Sequence, residues 1–215
     1  MSILNPFTFI ALVILIYSAI LHEIAHGYVA ERLGDPTARL LGRLTLNPRP
    51  HIDPMMSILL PLILILSGSP IIFGGAKPVP IDPFNLKEGR KDVALVSLAG
   101  PFTNVILAVS ASILFHLLAG NLDPLNTPWG WLLVLQILKT IVSLNILLAV
   151  FNLLPIPPLD GSKIFALILP EKTAATYLAI GNLGAGLILF LLLLPTGFQT
   201  LIGILYRFCL GLLGF

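Results

Sequence analysis

Long apolar runs are the feature that most constrains what this chain can fold into. Only 10% of its 215 residues are charged and 57% are hydrophobic, whereas a typical soluble domain is about 25% charged. A helix needs about 20 apolar residues to cross a bilayer. The apolar segments are Ile3–Ala30, Ile58–Phe73, Val93–Ala119, Trp131–Leu154 and a C-terminal pair, Ala174–Leu194 and Leu201–Phe215. We therefore predict an all-α polytopic membrane protein with about five transmembrane helices.

The small net charge of the chain argues against nucleic acid as a partner. The chain carries a formal net charge of +2 at pH 7, whereas nucleic-acid binding usually needs a strongly basic face. We therefore expect a lipid bilayer, and no nucleic acid, among the partners. The single cysteine, Cys209, cannot form an internal disulfide and lies in an apolar run, which favours an inert buried thiol.

Charges between the apolar runs predict how the chain is oriented. Loops rich in Lys and Arg stay in the cytoplasm. Two stretches each carry four basic residues, Arg32, Arg39, Arg43 and Arg49 in the first and Lys77, Lys87, Arg90 and Lys91 in the second. The loop 120–130 contains Asp123 but no Lys or Arg, and it is predicted to face outside.

The segment Ile58–Phe73 lies between the two basic stretches and determines whether both can be on the cytoplasmic side. Both can be cytoplasmic only if this segment enters and leaves the membrane on the same side. It is short and contains Pro61, Gly68 and Pro70, so we predict a re-entrant or interfacial hairpin over 58–73. The alternative is a true short span, which would place one basic stretch outside.

The sequence His-Glu-Ile-Ala-His at residues 22–26 is the strongest signal of chemistry. On a helix, His22 and His26 lie one turn apart on the same face, so both imidazoles can reach one metal ion. Glu23 can then act as the general base on a metal-activated water. Ionisable groups at membrane depth are functional by default. The pattern predicts a zinc site near the cytoplasmic face of a multi-pass cell-membrane protein.

A catalytic zinc ion needs a third protein ligand. Asp160 is the favoured candidate, because the topology places it on the same side as the two histidines and Gly161 permits a turn there. His51 is the rival ligand on that side. The carboxylates Asp53 and Asp82 are weaker alternatives.

These residues resemble the site-2 protease family of intramembrane zinc metalloproteases, peptidase family M50. The resemblance rests on the histidine motif, on the pattern N-x-x-P-x-P-x-L-D-G at residues 152–161, and on Ala-Gly-Pro at 99–101 with Asn104, opening the middle helix. It implies that His22, His26 and Asp160 bind one Zn²⁺ per chain and that Glu23 is the catalytic base. It also implies a three-helix catalytic core and a small prokaryotic-type member without PDZ or CBS domains.

The family activity is hydrolysis of peptide bonds within or next to transmembrane segments of membrane-protein substrates. A substrate helix must unwind locally before its carbonyl can react, so an extended segment that pairs with it is expected. The glycines Gly74 and Gly75 begin such a segment, although a plain loop is equally compatible. Asn152 and Asn104 are further candidates for substrate binding, with helix–helix hydrogen bonding as the alternative for Asn152.

We interpret residues 1–215 as a single integral-membrane protease domain, with a core over 1–161 and a C-terminal helical pair over 174–215. The Gly-rich C-terminal pair would permit close helix packing, which is compatible with a gate for lateral substrate entry or with association into a homo-oligomer. Two other classes of function compete with the zinc metalloendopeptidase. One is a membrane transporter or channel, which would be expected to show repeated halves. The other is a catalytically inactive scaffold that binds transmembrane helices.

Overall fold

A computed structural model describes residues 6–54, 59, 76–123, 127–183, 186, 190 and 197–215. Within these residues all regular secondary structure is helical, which confirms the all-α prediction for this part of the chain. The α-helices are α1 (Pro6–Leu33), α2 (Thr37–Leu40), α3 (Arg90–Ala119), α4 (Trp129–Asn152), α5 (Asp160–Ala166), α6 (Glu171–Ala179) and α7 (Phe198–Leu212). Short 3-10 turns occur at Arg49–His51, Pro83–Asn85 and Ile180–Leu183.

Three of these helices are long and apolar enough to cross a membrane. Helices α1, α3 and α4 contain 28, 30 and 24 residues, with mean hydropathies of 2.1, 1.9 and 2.1 in their most apolar windows. Even the shortest extends about 36 Å at 1.5 Å per residue, more than the roughly 30 Å of a bilayer's hydrocarbon core. These helices correspond to the first, third and fourth long apolar segments of the sequence.

The other predicted membrane segments are only partly described. The hairpin predicted over 58–73 lies outside the described residues, except for Leu59. Helix α7 has 15 residues, which is short for a span, and most of the segment beyond residue 183 up to α7 is not described. A total of five transmembrane helices therefore stays a prediction.

Helix α3 packs against both α1 and α4, and α1 also contacts α4. His26 lies next to Val96 and His22 next to Asn104, so α1 and α3 run antiparallel. The end of α1 and the beginning of α3 consequently lie on the same side of the helix layer. The orientation of the connection between them relative to a membrane stays a prediction.

Helix α1 directs three polar residues, Ser18, His22 and His26, towards the protein interior. Its buried stripe recurs every fourth residue, at Ser18, His22, His26 and Ala30. Large apolar side chains occupy the opposite side, where Phe9 is 69% exposed and Leu12 51% exposed. This arrangement suits a helix whose outer surface meets lipid, because polar side chains in membrane helices face the bundle interior.

One predicted helix start was wrong. The end of α1 at Leu33 lies only three residues beyond the predicted end of the first apolar segment, Ala30. Helix α3 does not open at Gly100-Pro101 but begins at Arg90, so that Pro101 lies inside it. The Asp92 carboxylate accepts a hydrogen bond of 2.7 Å from the Glu88 N–H at this earlier start. An acidic side chain in the first turn also suits the helix dipole, and prolines are tolerated inside membrane helices.

Candidate metal centre

Three side chains of the types that can bind a metal meet where α1, α3 and α5 come together. His22 and His26 project from one face of α1, and Asp160 is the first residue of α5. The two Nε2 atoms lie 3.0 Å apart, and each is 3.1 Å from Asp160 Oδ2. All three side chains are buried, with residue exposures of 6% or 7%. Among the described residues, they form the group of His, Cys, Asp and Glu that could hold a metal ion.

The hydrogen bond on the far side of His26 decides which nitrogen faces this cluster. His26 Nδ1 lies 2.7 Å from the Val96 carbonyl oxygen. Because a carbonyl can only accept, Nδ1 carries the proton and the neutral ring presents the Nε2 lone pair to the cluster. A bare nitrogen and a carboxylate oxygen at this distance repel each other unless a positive charge lies between them. A metal ion bound between the three residues would supply that charge.

The spacing of the three atoms suits zinc. Zinc bonds to imidazole nitrogen and carboxylate oxygen at about 2.0–2.2 Å in tetrahedral sites. The ligand atoms of such a tetrahedron lie about 3.3–3.6 Å apart, slightly farther than the 3.0–3.1 Å separations here. Two neutral nitrogens with one carboxylate is also a known ligand set of catalytic zinc. The residues present therefore fit a zinc ion with small outward movements.

Gly100 of α3 makes room for this cluster. A Cβ atom at this position would lie 2.5 Å from the Nε2 atoms of both His22 and His26. Any side chain at residue 100 would therefore occupy the space into which the ligand atoms converge. The sequence pattern suggested tight packing at Gly100, but it did not show that the neighbours would be the two imidazoles.

Asp160 is held by local contacts at the start of α5. Its Oδ1, the oxygen that does not face the histidines, lies 3.2 Å from Lys163 Nζ. One oxygen of the Asp160 carboxyl is thus paired with Lys163, and the other is directed at the two histidines.

Gly161 has a different role from the one expected. The sequence suggested an unusual turn, but Gly161 is not among the residues with positive φ. Its hydrogen atoms face the carbonyl of Leu153, and a Cβ there would lie 2.1 Å from that oxygen. Glycine is needed because the loop after α4 crosses directly over the start of α5, which brings Asp160 back towards α1.

Glu23 is half-buried and contacts a non-helical segment after residue 75. Its Oε2 accepts a hydrogen bond of 2.7 Å from the Val79 backbone N–H. This contact fixes one carboxylate oxygen and leaves the other without a hydrogen bond to any described group. A backbone N–H has no side-chain signature, so nothing in the sequence indicates this contact.

The same segment is attached to the loop that follows α2. Arg43 is buried, and its Nη2 donates to the carbonyl oxygens of Lys77 at 2.7 Å and Pro78 at 3.3 Å. The Lys77 N–H donates to the His51 carbonyl at 2.8 Å. In the sequence, Arg43 counted only as one of the basic residues that predict the membrane orientation. In the structure it holds the residues next to the Glu23 contact.

The remaining predicted site residues are placed differently. The rival ligand His51 is 2% exposed, and its Nε2 donates to the Thr45 carbonyl at 3.0 Å, so it lies outside the three-residue cluster. Asn152 donates to the Leu148 carbonyl of its own helix at 3.0 Å. Asn104 is fully buried and contacts His22 instead of an open surface. Gly74 and Gly75 lie outside the described residues.

The helices and this cluster define a membrane protein with a preformed two-histidine, one-carboxylate site suited to a metal. Comparisons with known proteins identify the family to which it belongs. The profile of peptidase family M50 matches residues 124–194. No solved structure matches the chain.

Three relatives carry the name of a zinc metalloprotease. YwhC of Bacillus subtilis, provisionally so named, is 36% identical over 209 residues, covering 92% of this chain and 85% of that protein. Rip2 of Mycobacterium tuberculosis, also provisionally named, is 34% identical over 193 residues, covering 88% of this chain and 68% of that protein. Zinc metalloprotease MJ0392 of Methanocaldococcus jannaschii is 29% identical over 198 residues, covering 90% and 45%.

The chain belongs to peptidase family M50, the site-2 protease family, and is a zinc metalloprotease. Zinc is accordingly its cofactor. The resemblance drawn from the sequence motifs is confirmed. The transporter and scaffold alternatives have no comparable support.

Proposed function

We propose that this protein cleaves peptide bonds within or next to the transmembrane segments of membrane-protein substrates, in regulated intramembrane proteolysis. One observation carries the proposal. The cluster of His22, His26 and Asp160 is enclosed by helices of membrane-spanning length, two of which contribute groups that touch it. A peptide bond can reach such a cluster most directly from a substrate that is itself in the membrane.

In this proposal, His22, His26 and Asp160 hold the zinc ion. When bound, zinc acts as a Lewis acid that activates water and polarises a peptide carbonyl. The protein contributes a fixed donor set, because the Val96 carbonyl sets the tautomer of His26 and Gly100 leaves the ligand atoms room. Asp160 contributes a negative charge whose second oxygen is paired with Lys163.

Glu23 is the proposed general base and acid. Its Oε1 accepts the proton of the attacking water, and the same oxygen then delivers that proton to the leaving amide nitrogen. The Val79 N–H holds Oε2, so the carboxylate has a defined orientation during both transfers. Positioned acid–base groups of this kind typically contribute about 10²–10⁴-fold in rate.

The substrate must lose its helical hydrogen bonds near the cleavage site. We propose that the non-helical segment around Val79 lies beside the unwound substrate, because it reaches Glu23 and contains Pro78 and Pro80, which cannot continue a helix. Asn152, Gly74 and Gly75 stay predicted substrate contacts.

We also propose that the helices form one multi-pass membrane domain with its active site near the cytoplasmic face. The support is the excess of Lys and Arg in the stretches that flank the end of α1 and the start of α3. Labelling of single cysteines introduced into loops 34–48 and 120–123, in a Cys209→Ser background, tests this orientation in intact cells. Equal labelling of the two loops from outside would contradict it. Homo-oligomerisation stays a prediction.

The deciding experiment uses purified protein in lipid nanodiscs, loaded with zinc and given a model transmembrane peptide. Mass spectrometry of the products should locate cleavage inside or beside the apolar segment. Glu23→Gln should lower the rate by about 10²–10⁴-fold while zinc content, measured by atomic emission, stays at the wild-type level. A chelator should abolish cleavage and added zinc should restore it. Undiminished cleavage by Glu23→Gln would contradict the role of Glu23 as general base. Cleavage confined to soluble peptides would contradict the proposed transmembrane substrates.

A further inference from the structure

Helix α3 presents three groups in a row to the two histidines. Val96, Gly100 and Asn104 are four residues apart, so they form one stripe along the helix. The Val96 carbonyl contacts His26 Nδ1 at 2.7 Å, and Asn104 Nδ2 lies 3.1 Å from His22 Nδ1. Gly100 lies between them, directly beside both Nε2 atoms. Each imidazole ring therefore directs one nitrogen into the cluster and contacts a group of α3 with the other nitrogen.

The Asn104 side chain is placed for contact with the histidine and not with a substrate. Its exposed fraction is 0%. Its Nδ2 contacts His22, and its Oδ1 is buried without a partner among the described residues.

The two orientations of that amide have opposite effects on His22. With Nδ2 towards the ring, the amide donates to His22 Nδ1, and the ring proton must then lie on Nε2, inside the cluster. With Oδ1 towards the ring, the amide accepts a proton from Nδ1–H, and the Nε2 lone pair faces His26 and Asp160. The oxygen and nitrogen of an amide occupy nearly the same volume, so both orientations fit the cavity.

We propose that Asn104 is a positioning residue for the metal centre. Its Oδ1 accepts the Nδ1–H of His22, which fixes the tautomer and the ring orientation in which Nε2 can bind zinc. The inference rests on the proposed role of His22 as a ligand. It makes α3 the helix that orients both imidazoles, through a backbone carbonyl for His26 and a side-chain amide for His22.

Zinc affinity is the measurement that tests this role. Purified variants in nanodiscs compete for zinc with a chromophoric chelator, and kcat and KM are measured separately at saturating zinc. Asn104→Leu, which fills a similar volume but cannot accept a hydrogen bond, should weaken zinc binding by about 10–100-fold. Asn104→Asp keeps an acceptor oxygen towards Nδ1 and should retain wild-type affinity or exceed it. KM should change in neither variant, because Asn104 is closed to the substrate.

Asn145 offers a matched control. It is also an asparagine with 0% exposure, and its Oδ1 has no partner in the described part of the chain. Its Nδ2 donates to Ser18 Oγ and the Ile141 carbonyl, away from the histidines. Asn145→Leu removes the same amide from the same membrane environment. It should leave zinc affinity unchanged, which separates loss of a histidine contact from general loosening of the helices.

Each other outcome has a defined meaning. Unchanged zinc affinity in Asn104→Leu with a raised KM would overturn the inference and favour a substrate contact. If that variant fails to fold, Asn104→Asp decides, because a tenfold or larger loss of zinc affinity there would also overturn it. His22→Ala tests the underlying proposal on its own. If it retains wild-type zinc affinity, His22 is not a ligand and the proposed site itself fails.

Discussion

The two ends of the α1–α3–α4 layer are built on different principles. At the site end, buried polar groups from different helices meet in pairs, such as His26 with the Val96 carbonyl and His22 with Asn104. At the other end, the apolar cluster consists of buried small and branched residues from α3 and α4. Its buried members are Ala108, Ala111, Leu138, Val142 and Ile146.

The difference shows that, in a membrane protein, the contacts that hold the helices together need not be the contacts that fix the positions of functional atoms. Lipid tails are as apolar as leucine, so helices in a membrane associate through close packing and hydrogen bonds, without a hydrophobic driving force. The apolar cluster can provide cohesion but does not single out one atom position. The polar pairs at the site end fix particular atoms to within hydrogen-bond distance. Changes at the site end should therefore affect zinc and catalysis, and changes in the apolar cluster should affect stability.

The largest effect is expected at Gly100. Gly100→Ala places a methyl group where both Nε2 atoms converge, with no flexible neighbour that can move without losing a ligand. Zinc affinity should fall by more than about 100-fold, at or beyond the upper end of effects seen for groups that only support metal ligands. Chelator competition measures it.

Gly130 provides the control for that substitution. It lies in the first turn of α4, and a Cβ there would have no neighbour within 4 Å among the residues that the structure describes. Gly130→Ala should leave zinc affinity unchanged and should favour the helix slightly, because alanine is the better helix former. Equal zinc affinity in Gly100→Ala and Gly130→Ala would show that the site end is not as tightly specified as proposed.

Arg43 should show a smaller effect that is confined to catalysis. Arg43→Ala removes the donor to the Lys77 and Pro78 carbonyls and so frees the segment whose Val79 N–H holds Glu23. We expect kcat/KM to fall about tenfold, the equivalent of one charged hydrogen bond, with zinc affinity unchanged. Arg43→Lys should restore part of the activity, since one ammonium reaches the two carbonyls less well than a guanidinium.

The matched control is Arg39, an arginine within α2 whose side chain is 59% exposed and pairs with Glu31. Exposed ion pairs contribute little to stability, so Arg39→Ala should keep wild-type activity. If both arginine variants lose activity equally, the cause is the charge of the loop and not the contact with the Val79 segment.

In the apolar cluster, Ile146→Ala should destabilise the fold without changing zinc affinity. Ile146 is 5% exposed, so truncation leaves a cavity between helices. The unfolded reference state also lies in lipid, which cancels much of the transfer free energy, and the free energy of unfolding should fall by about 1–2 kcal/mol. Reversible unfolding in mixed micelles measures it. Leu147→Ala, at a neighbouring residue that is 41% exposed, should have almost no effect.

The smallest expected effect concerns pH and Asp35. Burial raises the pKa of this carboxyl, but hydrogen bonds from Thr37, Asn85 and the Asp82 N–H outweigh burial and hold it below its ordinary value. A lowered folded-state pKa stabilises the fold above the unfolded-state pKa of about 3.9. That contribution is lost as the pH falls through the lower, folded-state value.

Thermal unfolding at several pH values between 7 and 3 tests the Asp35 contribution. The wild-type protein should lose stability at the acid end, and Asp35→Asn should lose less over the same range because it has no charge to neutralise. At pH 7 the Asp35→Asn variant should be less stable than the wild type by about 1 kcal/mol, the value of one hydrogen bond. An identical pH dependence in the two proteins would show that other carboxylates cause the acid instability.

Much of this architecture could be predicted from the sequence because its causes are local or statistical. Apolar length identified the three long helices, and the four-residue spacing of His22 and His26 placed both rings on one face. Loop charges and helix parity indicated that Asp160 lies on the same side as these histidines, and the structure brings the three side chains together.

The remainder depends on contacts that leave little trace in one sequence. The partner of Glu23 is the backbone N–H of Val79, and every residue except proline has such a group. The need for glycine at 161 comes from the Leu153 carbonyl, which only the folded loop brings near. The start of α3 was misplaced because Pro101 is tolerated inside a membrane helix when neighbouring groups satisfy the freed backbone groups.

The order in which the ligands are synthesised has a consequence for the cell. Asp160 is separated from His22 by 138 positions and from His26 by 134. At about 5–20 residues per second, the ribosome needs roughly 7–27 s to extend the chain over that distance. During this interval the first helix already carries its two imidazoles, but the donor set lacks its carboxylate. A nascent chain therefore passes through the insertion machinery, among other unfolded membrane segments, before it can assemble the proposed centre that would cut them.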